Sequence, residues 1–510
     1  VRLKFKQLNF GKIDAKPEAT DDEKFFLESF YLPSSFPIDD YYQGKRYYIE
    51  GAKGTGKTAL LRYLYNDIQM KENDDAKFIL YKSDIKEVQK IEFLNNLGAE
   101  DLSDLKEEEI NALDFEHLWK IYFHKKIVEQ FDKTGMFISD NVWEEYRDKI
   151  IKADKQSILS NFNFTPIQFL NKTTARLKGL ENTTEVTTEI SYTQYKKDIY
   201  RLAEELDALF IKLSPTVSNF YFFVDELELT RLNEQTYKRD VILIRDLIVT
   251  IENLNMMSKQ YLGGSVKWVA AIRTEVVNSL YSAGKEINKL MSVYGYKLTW
   301  TQNGGNYFDN PLIKILLQKI SASEKQYNPN YNNTNTEIWS TYFPKQVSIN
   351  KKNQNTENYI LRQTFMKPRD IVRLFDILKT KYGEDDLFSQ KVFEGIREDY
   401  AQATWQEVME ELTVKYSNQQ LQDIKFLIST LEKFKLAELE KRIELNSKYR
   451  PNISELLQNY PIYEILSDLY RVGIIGNLND GKVRFSYRGQ EHLEFEQMMI
   501  LHESIRKALM

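Results

Sequence analysis

The run Gly51-Ala52-Lys53-Gly54-Thr55-Gly56-Lys57-Thr58, followed by Ala59-Leu60-Leu61, has the residue types that hold a polyphosphate. Its glycines let backbone N–H groups turn inward onto an anion with no Cβ in the way. A helix starting near Lys57 aims its positive end at the same place. Lys57 supplies a mobile point charge for the outer phosphates, and the Thr58 hydroxyl can join a Mg²⁺ shell. A second group lies far along the chain, where the apolar run Asn219-Phe220-Tyr221-Phe222-Phe223-Val224 ends in Asp225-Glu226. A carboxylate at the end of a strand beside the loop strand can hold Mg²⁺ through water, the role expected of Asp225. Glu226 is then placed to polarise an attacking water. Glu228 reads as a bystander. A third group closes Val266–Ile272, where Arg273-Thr274-Glu275 puts a guanidinium at a strand end that could read phosphate. Alone, the acidic run would read as a strand entering a solvated turn; the loop upstream favours the catalytic reading.

These groups need a scaffold. Arg46 to Glu50 reads as the strand before the loop, and Leu60, Leu61, Leu64 and Ile68 share one helical face after it. Lys77 to Tyr81 reads as a second, buried strand, and Tyr296 to Trp300 as a fifth. Lys238 to Leu254 is an amphipathic helix with Val241, Ile244, Leu247, Ile248 and Ile251 inward. Arg239 and Arg245 fall to its solvated face, with a neighbouring subunit's nucleotide as the alternative partner. Strands alternating with helices predict a parallel sheet covered on both faces, with ligands beyond the carboxyl ends of the strands. Gly51, Asp225 and Arg273 all fall at such ends.

The domain organisation expected is a lead-in and first half of the core over 1–82, a helical insertion over 83–218, and the second half of the core over 219–310. A helical lid over 311–385 follows, then a helical linker and winged-helix-like domain over 386–510. In the insertion, Phe115, Leu118, Trp119, Tyr122 and Phe123 form one apolar stripe, and Ile199, Leu202, Leu206, Leu209 and Leu213 another. Residues 161–192 are vague, with Thr-rich alternation near Val186 to Ile190. Phe25, Phe26, Phe30 and Tyr31 of the lead-in can pack on a core. Asp309-Asn310-Pro311 opens a helix over Leu312 to Ile320, and an Asn-rich loop follows over Tyr327 to Asn358. Pro368 suits a helix start, from which Arg369 projects. Near the end, Ile453 to Leu457 and Ile462 to Tyr470 read as helices. Asn479-Asp480-Gly481 then marks a hairpin turn. Lys482, Arg484 and Arg488 on that wing, with Arg471 nearby, could touch nucleic-acid phosphates, although many such domains contact only protein.

The chain has 510 residues, net charge −5, no Cys and four His, so disulfides and thiolate chemistry are out and a basic nucleic-acid surface could only be local. No uncharged apolar run approaches the ~20 residues of a membrane-spanning helix, and the start does not read as a signal peptide. A soluble, cytoplasmic protein is expected.

Together these motifs resemble an ASCE-type P-loop ATPase of the AAA+ and STAND kind, close to the origin-recognition-like branch with a C-terminal winged helix. In detail the chain is similar to a bacterial family of stand-alone P-loop ATPases. Members share an early Phe-Gly, a Lys-Gly-Thr-Gly-Lys loop, an apolar strand ending in Asp-Glu, and an Ile-Arg-[ST] strand end. These stand here as Phe10-Gly11, Lys53 to Lys57, Asp225-Glu226 and Ile272-Arg273-Thr274. The resemblance implies ATP and Mg²⁺, with Gly51 to Ala59 cradling the nucleotide and Thr58 and Asp225 on the metal. It implies that Lys57 and Glu226 are catalytic and that Arg273 and Arg369 stand in the sensor-1 and sensor-2 places. It further implies slow hydrolysis that switches homo-oligomeric assembly or a partner effector, in some relatives within antiviral defence. An ATP-dependent DNA binder and a scaffold that holds nucleotide without turnover are the alternatives.

Overall fold

The computed structural model describes residues 2–85, 87, 90, 113–155, 198–216, 218–230, 234–301, 307–349, 352–413, 415–488 and 492–509. The vague segment 161–192, with its Thr-rich alternation, lies outside them. The chain divides into two compact units. The first, here the sheet unit, comprises Ser34–Lys53 and Lys57–Leu298; the second, the helical unit, comprises Val1–Pro33, Gly54–Gly56 and Thr299–Met510.

The sheet unit is built on five parallel strands: β1 (Tyr48–Gly51), β2 (Asp75–Leu80), β3 (Phe220–Leu227), β4 (Val266–Arg273) and β5 (Gly295–Lys297), in the order β2-β3-β4-β1-β5. β3 and β4 are buried almost end to end, as expected for strands covered on both faces. The acidic strand is therefore not beside the loop strand as the sequence suggests, because β4 stands between them. The helix Lys57–Gln69 bridges the gap. It buries Leu60, Leu61, Leu64 and Ile68 and packs across β1, β2, β3 and β4. β5 is shorter than expected, and Leu298 to Trp300 lie beyond it.

Both apolar stripes of the insertion are buried. Its described helices, Glu116–Thr134, Asn141–Lys155 and 198–210, share one apolar core with the sheet. Phe123 and Phe210 approach Trp268 of β4 at 6.1 and 6.2 Å between ring centres. The long helix runs Glu234–Tyr261 and buries all five expected apolar residues. It also buries its arginines, so the solvated-face reading of Arg239 and Arg245 is wrong. They are 2% and 0% exposed and their charge is met inside the fold. Arg239 pairs with Asp240 (2.8 Å) and Glu87 (2.5 Å), and Arg245 with Asp246 (2.7 Å).

In the helical unit the first residues pack on the C-terminal half rather than forming part of the sheet unit. Phe5 stacks on Phe388 at 4.1 Å, and Phe25 and Phe26 are buried on a helix that meets Pro311–Tyr327. That longer helix starts where Asn310 accepts from the Leu312 N–H, with proline in its first turn. The expected Asn-rich loop is largely ordered. Helix Asn335–Tyr342 is opened by a capping box between Thr334 and Glu337, and β6 (Gln346–Ile349) pairs antiparallel with β7 (Lys352–Asn355). The C-terminal part carries helices Asn418–Ile428, Leu436–Ser447, Pro451–Asn459 and Ile462–Arg471. They pack with a four-stranded antiparallel sheet of β8 (Lys433–Phe434), β9 (Ile475–Asn479), β10 (Lys482–Arg484) and β11 (Met498–Leu501). Asn479 pairs with Lys482 across a two-residue turn, with Asp480 and Gly481 at φ of 47° and 74°, the geometry that turn demands. Among the described residues no helix is long and apolar enough to cross a membrane.

Candidate functional site

β1 delivers the chain to Gly51, and the helix begins at Lys57. Between them Gly54 and Gly56 take φ of 82° and 88°, a conformation that turns successive N–H groups to one side and that a side chain would strain. Lys57 is almost fully buried. Its ammonium donates to the carbonyls of Gly51 (2.8 Å) and Ala52 (3.0 Å), so the cation is folded back over the loop that precedes it.

Asp225 lies near the carboxyl end of β3 and is only 5% exposed. Its carboxylate accepts from the Glu226 N–H at 2.8 Å and from the Thr58 hydroxyl. Burial raises its pKa above the ordinary value, and the Glu226 N–H, Thr58 and the nearby charge of Lys57 offset this only in part. The two motifs thus meet: the hydroxyl that follows Lys57 touches the acidic strand.

Glu226 sits at φ 60°, unusual for a residue with a side chain, where β3 is bulged against β4 between Val224 and Leu227. Its carboxylate accepts from Ser83 Oγ at 2.7 Å. Arg273 closes β4 directly opposite Gly51. Its guanidinium is paired with Glu228 and lies 3.6 Å from Glu275, while Glu228 also takes Lys82 at 3.2 Å. Glu228 is thus the ion-pair partner of Arg273 and Lys82. Neither Ser83 nor Glu228 carries a signal in the sequence, since each is defined by a partner on another strand end.

Arg369 belongs to the helical unit, as does the loop tip Gly54–Gly56. The Arg369 N–H points at the Gly54 carbonyl at 3.4 Å, and Trp300 Nε1 donates to the Thr55 carbonyl at 2.8 Å. The Arg369 side chain is held by Glu407 at 3.0 Å, which Arg373 also grips. Burial pushes the Glu407 carboxyl up, but these two arginines outweigh it and hold the group below its ordinary value. Arg369 is thus half-buried, with Glu407 as its counter-charge.

Lys482 and Arg484 are exposed on β10, and the side chain of Arg488 lies outside the described residues. The helix before this hairpin shows solvent Tyr463, Glu464 and Ser467, with Asp468 partly exposed, and Arg471 donates to Asp468 at 3.1 Å. A second acidic group, Asp114, Glu116 and Asp246, has carboxylate oxygens within 4.8 Å of one another. The ammonium of Lys285 stands among them at 3.3, 2.7 and 2.9 Å, so this cluster already holds a cation of its own.

Residues 310–425 match the FunZ-associated C-terminal helical domain. No curated protein matches the chain.

Proposed function

We propose that this protein is a P-loop ATPase of the ASCE and AAA+ kind that binds Mg²⁺-ATP, hydrolyses it slowly, and uses the nucleotide state to switch its own assembly or a partner. The observation that carries this reading is the contact between Thr58 and Asp225, which joins the glycine loop to the buried acid across an intervening strand. The residues fit a hard divalent cation: a hydroxyl and a carboxylate whose burial leaves its charge incompletely met. Thr58 and Asp225 would hold the metal, which when bound supplies positive charge beside the phosphates. Lys57 exchanges its two loop carbonyls for phosphate oxygens. Glu226, on leaving Ser83, accepts the proton of the attacking water. Arg273 and Arg369 are the proposed phosphate readers, each held by a carboxylate at present.

The C-terminal helices and hairpin are consistent with a winged helix. Its helix Ile462–Arg471 exposes Glu464, and Asp468 neutralises Arg471, which favours a protein partner over DNA. The test of the ATPase reading is equilibrium nucleotide binding together with phosphate release. Lys57→Ala is expected to abolish binding, and Glu226→Gln to keep binding while stopping turnover. A wild-type protein that takes up no nucleotide with magnesium present overturns the reading.

A further inference from the structure

The bulge at Glu226 has an effect on the neighbouring strand. Val224 pairs with Ala270, and with regular pairing Leu227 would face Arg273. The observed register puts Leu227 opposite Ile272, so the strand direction carries Glu228 to the level of Arg273. The extra residue therefore brings a carboxylate to the guanidinium that lies opposite Gly51, where the glycine loop begins. Lys82 reaches Glu228 from the segment after β2, and Glu275 approaches Arg273 from the other side.

We infer that Glu228 is a positioning residue that occupies Arg273 in place of a terminal phosphate, and that exchange of the two anions sets how well the site tells a nucleoside triphosphate from a diphosphate. The inference rests on the nucleotide reading proposed above. Arg273 and Glu228 are 27% and 29% exposed, so the pair is screened and cheap to open, unlike the fully buried Arg245–Asp246 pair. A terminal phosphoryl group carries more charge than a carboxylate and offers three oxygens to a planar fork, so it can win the exchange. A diphosphate lacks that group and leaves Arg273 with Glu228. Lys82 keeps the released Glu228 carboxylate from being stranded.

The test is calorimetric titration of Mg²⁺-ATP and Mg²⁺-ADP into wild type, Glu228→Gln, Arg273→Met and the double variant. Glu228→Gln is expected to tighten ATP by ~2- to 5-fold, the scale of a partly exposed ion pair, with ADP unchanged. In the Arg273→Met background the same change is expected to do nothing. Equal tightening of both nucleotides, no change in either, or an effect that persists without Arg273 overturns the inference while leaving the ATPase reading intact. Wild-type protein that binds neither nucleotide sinks the underlying reading and this inference with it.

Discussion

Asp225 and Asp246 are buried carboxylates of the same unit, and they differ in how their charge is met. Asp246 is wholly inaccessible, yet it is paired with Arg245 at 2.7 Å and Lys285 at 2.9 Å and accepts from the Phe115 N–H at 2.8 Å. Its neighbour Asp114 shows the result: burial pushes that carboxyl up, but the Glu116 N–H and Lys285 outweigh it and the pKa falls. At Asp225 burial wins, and the pKa rises despite Thr58 and Lys57. The first cluster is closed, with every partner supplied by the chain. The second has only the nearby charge of Lys57, which offsets its burial in part, as suits a carboxylate proposed to meet a cation.

The sharpest way to break this contrast is to open the closed cluster. Asp246→Ala leaves Arg245 and Lys285 without their shared anion in the interior, at a cost of about 3–5 kcal/mol. Urea unfolding should show the loss, and nucleotide affinity of the molecules that remain folded should not change. A neutral effect on stability would mean that Asp246 is no better compensated than Asp225.

At Asp225 the opposite sign is expected. Asp225→Asn removes a charge that the fold pays to bury, so the ligand-free protein should become more stable, while Mg²⁺-dependent nucleotide affinity falls by roughly 10- to 100-fold. The pH dependence follows from the raised folded pKa. The folded state holds the Asp225 proton more tightly than the unfolded chain, whose value is near 3.8. Below that value both states are protonated and burial costs nothing. As pH rises through the folded pKa the penalty appears in full. The stability gap between Asp225→Asn and wild type should therefore widen from acid to neutral pH. A gap that narrows reverses the assignment.

How much of the fold and of the site is legible in the sequence depends on how local each signal is. The glycine loop, the stripe Leu60, Leu61, Leu64 and Ile68, and the apolar run into Asp225 are local patterns, and each lies in the element expected. Strand order is not local, so no sequence pattern places β4 between β1 and β3. Arg239-Asp240 and Arg245-Asp246 look like solvated charge because adjacent helical residues point apart. Their burial depends on Glu87, Lys90 and Lys285, brought in from other segments. The Asn-rich composition of residues 327–358 hides their helix and hairpin, although Thr334 and Glu337 stand at capping-box spacing. Nothing local marks Glu228, since only a one-residue bulge puts it level with Arg273.

That bulge gives the smallest prediction and separates two roles of one residue. Glu226 at φ 60° carries a conformational cost of about 1–2 kcal/mol that glycine does not. Glycine loses more chain entropy on folding, about 0.5–1 kcal/mol, which offsets part of the gain. Comparing Glu226→Gly with Glu226→Ala cancels the loss of the carboxylate and of its bond to Ser83. Turnover should be abolished in both, and glycine should be the more stable by roughly 0.5–1 kcal/mol. Equal stability in thermal unfolding would mean that β3 relaxes once the side chain is gone. The strain would then belong to the carboxylate's tie to Ser83, and the open site would owe its geometry to that bond rather than to the backbone.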